Sequence, residues 1–235
     1  MKKITVFVIL ILIMLSAIWL LRPNPERYPV KGVDVSAYQG EIDWEKLSTE
    51  NTEKIEFAFI KATEGSNFVD EKFIINYENA YKTDIIVGAY HFFSYDSEGE
   101  TQAENFINTV PVLKGTLPPV IDVEFYNDNQ HNPPSRKHTE SVLKPLIQRL
   151  EEHYGQKPII YATPKSYLLY IIGDYKDCPI WIRNTMTAPL LPDFRSFTFW
   201  QYSDKHILNG YSGNEKHIDM NVFNGTKKDL QNFIK

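Results

Sequence analysis

Leu117-Pro118-Pro119-Val120-Ile121-Asp122-Val123-Glu124 joins two structure breakers to a short apolar strand and two carboxylates. Pro118 and Pro119 end whatever precedes them, because proline lacks an N–H and fixes φ. Val120, Ile121 and Val123 then predict a short buried strand. Side chains alternate faces along a strand, so Asp122 and Glu124 point the same way, with Cα atoms roughly 6.5 Å apart. Like charges on one face repel, and burial raises the cost of ionising either. A protein seldom needs such a pair for stability alone, so it predicts chemistry at the strand's end.

On either side of this stretch, strand, loop and helix alternate. Strands are predicted over residues 32–36, 55–62 and 85–93 before it, and over 158–162, 179–183, 197–202 and 217–222 after it. Residues 42–47 predict one or two helical turns. Asp70 is placed to cap a helix bearing Phe73, Ile74, Tyr77 and Tyr81, and Ser97 with Glu100 reads as a capping box for a helix bearing Ala103, Phe106, Ile107 and Val110. After a polar loop at 127–134, Val142, Leu143, Leu146, Ile147 and Leu150 mark another helix. Pro145 falls inside that pattern and predicts either a kink or a late start. A short helix follows at 166–172, and Thr226 caps a last one carrying Leu230, Phe233 and Ile234.

Eight short strands interleaved with helices predict an α/β fold, a parallel (β/α) barrel of the TIM type. Helices thin out after the fifth strand, so the barrel is expected to be irregular. Catalytic groups in such barrels come from the C-terminal ends of strands. Polar and aromatic residues gather there in this chain: Asp34, Lys61, Tyr90, His91, Asp122, Glu124, Tyr161, Trp181, Arg183, Gln201 and Asp219.

The chain has 235 residues, 43% of them hydrophobic, which suits one barrel domain over 32–235. Its formal net charge of −5, with no basic block in the body of the chain, argues against a nucleic-acid partner. Only Cys178 is present, so no intrachain disulfide can form. Lys2 and Lys3 precede an apolar run, Ile4 to Leu21, near the minimum length for a membrane span. Residues 1–21 therefore read as an uncleaved N-terminal membrane anchor, with a cleaved signal segment as the alternative. Residues 22–31, with three prolines, read as a linker. Either way the barrel is expected outside the cytoplasm, membrane-anchored or secreted, as a monomer.

Four carboxylates, Asp34, Asp122, Glu124 and Asp219, would meet at one barrel mouth. A metal site is disfavoured, because His91, His206 and His217 are scattered and no H-x-H or H-E-x-x-H occurs. No metal or other cofactor is expected. Glycoside cleavage fits better, with one carboxyl held protonated as general acid and another stabilising the oxocarbenium-like state. Glu124, longer and nearer the strand end, suits the acid; Asp122, one layer deeper, suits a fixed charge. The bland alternative has these strand-end carboxylates capping a helix or pairing with Lys61 or Arg183. Tyr90, Tyr161, Trp181 and Tyr202 either line a sugar cleft or pack the barrel. Gln201 either binds substrate or serves the core. His91 reads as a satisfied barrel histidine, and Cys178 has no histidine placed to make it a nucleophile.

In order along the chain stand Gly32-Val33-Asp34-Val35-Ser36 with Tyr38-Gln39-Gly40, Phe59-Ile60-Lys61-Ala62-Thr63-Glu64-Gly65, Gly88-Ala89-Tyr90-His91-Phe92, Pro119-Val120-Ile121-Asp122-Val123-Glu124, Trp200-Gln201-Tyr202-Ser203 and Ile218-Asp219-Met220-Asn221. Together these motifs resemble the family 25 glycoside hydrolases, the muramidases (lysozymes) on an irregular β/α barrel. The resemblance implies hydrolysis of the β-1,4 bond between N-acetylmuramic acid and N-acetylglucosamine in peptidoglycan glycan strands. It implies Glu124 as proton donor, Asp122 acting with the substrate's own 2-acetamido group, and Asp34 and Asp219 as the other acidic positions. Two features depart from the family pattern: the charged segment 207–217, and Arg183 where a small residue is more usual. The rivals are a chitinase-like hexosaminidase and a non-catalytic peptidoglycan-binding barrel.

Overall fold

The computed structural model describes residues 22–234. The strands in chain order are β1 Val30–Val35, β2 Ile55–Glu64, β3 Phe68–Val69, β4 Ile86–Phe92, β5 Val120–Val123, β6 Ile159–Ala162, β7 Ile180–Arg183, β8 Phe199–His206 and β9 Ile218–Phe223. Eight of them close a barrel in the order β1-β9-β8-β7-β6-β5-β4-β2, sealed by β1 pairing with β2. β3 is a two-residue strand that folds back antiparallel on the end of β2.

Period-two alternation builds the barrel interior. Phe57 and Phe59 of β2, Val120 of β5, Ile159 of β6, Trp181 of β7, Phe199 of β8 and Phe223 of β9 form one buried cluster. Phe59 stacks on Trp181 with ring centroids 4.4 Å apart, and Phe199 meets Phe59 edge-on at 5.1 Å. Gly32 and Gly88 make room for these rings. A Cβ at Gly32 would lie 2.5 Å from the Phe57 ring, and one at Gly88 2.8 Å from the Phe59 ring. Two residues further along each inward stripe the character changes to polar: Phe59 leads to Lys61, Val120 to Asp122, and Phe199 to Gln201. Each strand is thus apolar at the barrel floor and polar at its mouth.

Helices cover the outside: α1 Trp44–Thr49, α2 Phe73–Tyr81, α3 Gly99–Thr109 and α4 Arg136–Tyr154. After β6 the expected short helix is present as an α-helical turn at Pro164–Ser166 that continues as a π-helix over Tyr167–Ile171. The last helix, α5 Lys227–Phe233, is capped by Thr226 as expected, and Phe233 lies against Phe199 and Phe223.

The expected all-parallel barrel needs one correction. β9 runs antiparallel to both β1 and β8. The reason is local: segment 207–217 has no helical pattern, and antiparallel strands need no crossover helix to join them. The reading of Ser97 as a cap is also corrected. α3 begins at Gly99 with Glu98 at the cap position and no side-chain cap bond. Gln102 instead turns its amide back, donating to the carbonyls of Ser94 and Ser97, and this sets the loop one residue later. Asp70 likewise lies two residues ahead of the cap position; it accepts from Lys72 N at 2.9 Å and from Ala37 N at 2.9 Å, tying α2 to the loop after β1. α4 starts at Arg136 and runs through Pro145, so that proline does not mark a late start. β1 opens at Val30, inside the span read as linker. Among the described residues no helix is long and apolar enough to cross a membrane, and the anchor expected over residues 1–21 lies outside them.

Candidate active site

The polar ends of the inward stripes surround a cleft of about 380 Å³ at the barrel mouth. Asp34, Asp122, Glu124, Asp219, Tyr90, Tyr161, Trp181 and Gln201 all line it. Tyr202 does not. It points to the other face of β8, where its ring meets Trp200 and its hydroxyl donates to Glu53 at 3.2 Å.

Asp34 and Asp219 face each other directly across the β1–β9 ladder. Because β9 is antiparallel, Asp219 stands at the start of its strand, yet at the same end of the barrel as Asp34. Gln201 Nε2 bridges them, donating to Asp34 Oδ1 at 2.9 Å and to Asp219 Oδ2 at 3.1 Å. Asn221 Nδ2 donates to the same Asp34 oxygen at 2.6 Å. The network reaches the floor of the cleft. Tyr161 OH donates to Gln201 Oε1 at 3.0 Å, and Trp181 Nε1 donates to Asn221 Oδ1 at 2.8 Å. Gln201 is 2% exposed, and both of its amide faces are engaged, Nε2 by the two acids and Oε1 by Tyr161, so it holds the acids in place. Tyr161 and Trp181 line the cleft but are themselves buried.

Two like charges directly opposite on a ladder are unfavourable, and burial adds to the cost. Burial pushes the Asp34 carboxyl up to about 6, against the hydrogen bonds from Asn221 and Gln201. Burial, then the charge of Asp34, pushes Asp219 up to about 8. Of the two, Asp219 holds its proton to the higher pH.

Asp122 lies on β5 beneath the cleft, with its backbone carbonyl accepting from Phe93 N at 3.0 Å. Burial, then the charge of Glu124, lifts its carboxyl well above the usual range. Its Oδ1 is sealed from solvent and has no hydrogen-bond partner among the described protein groups. Glu124 sits just past the end of β5, half-buried at the rim. Burial also raises its pKa; the guanidinium of Arg183 opposes that rise and the charge of Asp34 adds to it.

Among the described residues these carboxylates form no direct ion pair, one of the two forms of the bland alternative. Lys61 Nζ pairs with Glu64 at 2.8 Å, and Arg183 pairs with Asp204 at 2.6 Å. Both cations line or flank the cleft without neutralising a candidate acid by contact. Among the described residues, no group of three or more His, Cys, Asp or Glu side chains is arranged to hold a metal ion. His91 is fully buried, with Nδ1 2.7 Å from Thr63 Oγ1 and Nε2 3.0 Å from Gln102 Oε1. Burial lowers its pKa to about 4, so it is a neutral core histidine.

Sequence reasoning assigned no role to Asn221 or Asp204. Asn221 was open to detection, because Asp219 and Asn221 have the same i, i+2 spacing as Asp122 and Glu124. Asp204 was not, because it owes its place to β8 running on past the barrel mouth.

A family model described as glycosyl hydrolases family 25 matches residues 33–211 of the chain. A family 25 glycosyl hydrolase from Bacillus anthracis superposes with a TM-score of 0.84 at 54% identity, over 91% of this chain and 97% of that one. A bacterial lysozyme from Streptomyces coelicolor follows at a TM-score of 0.74 and 32% identity, over 87% of this chain and 96% of that one. Lysozyme M1 of Streptomyces globisporus is 34% identical over 86% of this chain and 70% of its own length.

Proposed function

The chain belongs to glycosyl hydrolase family 25, and we propose that it is a peptidoglycan hydrolase, a muramidase that cuts the β-1,4 bond between N-acetylmuramic acid and N-acetylglucosamine. The observation that carries this reading is the set of four carboxylates in one open cleft, none of them paired directly with a cation among the described residues. Relatives named as lysozymes and as an N,O-diacetylmuramidase support the substrate class.

In this reading Glu124 is the general acid. Its raised pKa keeps a proton available, and its place at the rim meets the glycosidic oxygen of a sugar lying across the cleft. Asp122 receives the 2-acetamido N–H of the muramic acid residue. A carboxyl oxygen of Asp122 on the cleft side is the acceptor, and the bond draws the acetamide oxygen toward the anomeric carbon. The acetamide then displaces the leaving group as Glu124 protonates it. Glu124, now a carboxylate, activates the water that opens the cyclic intermediate, giving net retention without a covalent enzyme bond. Asp34 and Asp219, bridged by Gln201 and Asn221, fix the wall opposite and keep negative charge near the developing cation. No step requires a metal, so a chelator is expected to leave the rate unchanged.

Release of reducing ends from purified peptidoglycan by wild type and Glu124→Gln tests the assignment. Equal rates would remove Glu124 from the mechanism. Parallel assays on chitin oligomers distinguish a muramidase from a chitinase-like hexosaminidase, and a wild type inactive on both substrates would leave only the binding-protein reading. The same function places the barrel outside the cytoplasm, with the apolar run Ile4 to Leu21 as its anchor. Mass spectrometry of the protein from membrane and medium fractions checks this. A membrane-bound chain that keeps its first residues supports the anchor, and a released chain lacking them supports secretion.

A further inference from the structure

The apolar run Ile4 to Leu21 ends one residue before Arg22. Arg22 and Arg27 line a cavity of about 270 Å³ with Tyr28, Ala188 and Trp200. This cavity belongs to the floor end of the barrel. Tyr28 stands two residues ahead of β1, and Asp34, at the mouth end of that strand, lies roughly 20 Å further along. Tyr28 also fixes the loop that joins β7 to β8. Its ring meets Phe197 at 5.8 Å and Trp200 at 5.9 Å, and Ala188 shares the cavity with it. The loop therefore leaves Tyr28 at Ala188 and returns to it at Phe197.

This loop turns large apolar side chains outward: Met186, Leu190 and Phe194 are 83%, 69% and 87% exposed. Phe194 has a φ of 60°, in the left-handed region that bulky side chains avoid. Its neighbours hold it there. Leu191 is buried, Asp193 accepts from the Tyr167 hydroxyl at 2.9 Å, and Arg195 Nη2 donates to the Cys178 carbonyl at 2.6 Å. A backbone strained to keep a ring in solvent, beside two more exposed apolar side chains, points to a surface that something covers. Charge says what covers it. Among the described residues neither Arg22 nor Arg27 pairs with a carboxylate, and Glu26 between them is taken by Lys31 at 2.9 Å. Apolar side chains beside two free guanidiniums match the interface of an anionic bilayer, where the former enter the acyl boundary and the latter meet phosphates. A run seated in a bilayer puts Arg22, the next residue, among the headgroups.

We propose that the β7–β8 loop and the segment from Arg22 to Arg27 form a membrane-docking face, which rests on anionic phospholipid headgroups and turns the cleft away from the bilayer. The inference rests on the reading of residues 4–21 as an uncleaved anchor. The anchor alone fixes one point of the barrel. Phe194, Leu190 and Met186 supply a second, and two points set an orientation. The mouth, at the opposite end of β1, then faces the wall.

The test uses the full chain in vesicles of phosphatidylglycerol and phosphatidylcholine that carry nitroxide-labelled lipid. A bimane is attached through Leu190→Cys in one protein and through Tyr38→Cys, at the cleft, in another; Cys178 is buried and stays unlabelled. The Leu190→Cys label should be quenched by the lipid and the Tyr38→Cys label should not. Adding Phe194→Ser should lower the docking equilibrium read at the Leu190→Cys label about tenfold. Arg22→Gln and Arg27→Gln should each lower it about fivefold. All three side chains are exposed, so Tm should stay unchanged. Equal quenching of the two labels overturns the docking face alone, as does quenching at Leu190→Cys that ignores all three substitutions. A Leu190→Cys label that shifts to the blue without lipid quenching assigns the loop to a second copy of the chain and also overturns it. A full chain that does not float with the vesicles overturns the anchor, and the docking face with it.

Discussion

Glu124 and Asp122 share a strand face but not an environment, and that difference assigns their roles. Glu124 is at the rim, able to exchange a proton with a leaving group and a water. Asp122 is buried with an oxygen that no protein group satisfies. Glu124→Gln should lower kcat by about 10³-fold, within the range of general acid–base catalysis, with KM and Tm little changed. Asp122→Asn should keep the fold and lower kcat by about 10²-fold, as the loss of one preorganised electrostatic contact does. The activity should fall on the alkaline side as Glu124 loses its proton, and this limb should lie above the ordinary carboxylate range. Arg183 holds that pKa down, so Arg183→Gln should move the limb to higher pH; a pH–kcat/KM profile of the two proteins reads the shift.

At the level of strands, the barrel admits its aromatic floor only where facing positions are empty. Gly32 of β1 is such a position, since a Cβ there would sit 2.5 Å from both the Phe57 ring and the Phe57 carbonyl oxygen. The ring could turn aside, but the carbonyl belongs to the β1–β2 ladder and cannot. Gly32→Ala should therefore cost about 3 kcal/mol, the upper range for overpacking, and lower Tm by about 6–12 °C for a domain of this size. Thermal melts check it. β1 also carries Asp34, two residues on, so a displaced strand should lower kcat as well.

Across the whole molecule, the acids at the mouth make stability depend on pH. A carboxyl raised in the folded state binds more protons there than in the unfolded chain, so its contribution is lost as pH rises. Asp34 acts between 3.8 and about 6, and Asp219 between 3.8 and about 8. His91 has the opposite sign, because its folded pKa of about 4 lies below 6.5, and it removes stability as pH falls through that window. Between pH 6.5 and 8 His91 is silent and Asp219 dominates the pair. Wild-type Tm should fall across that interval, and Asp219→Asn should flatten the curve and melt higher at pH 8, by about 2–4 °C per kcal/mol recovered. A fall of equal slope in the variant would contradict the raised pKa. The sequence alone determined the barrel class, the Asp122–Glu124 pair and the gathering of polar residues at strand ends. These are legible because side-chain alternation and apolar-to-polar gradients are local, repeated within each strand. The tertiary structure decided that β9 runs antiparallel, that Asp34 opposes Asp219, that Gln201 bridges those two acids, and that Lys61 and Arg183 are taken by Glu64 and Asp204. Each of these depends on which strands become neighbours and which of several charges comes within hydrogen-bond reach. Such choices are made by packing between distant parts of the chain, and no local pattern around Leu117–Glu124 encodes them.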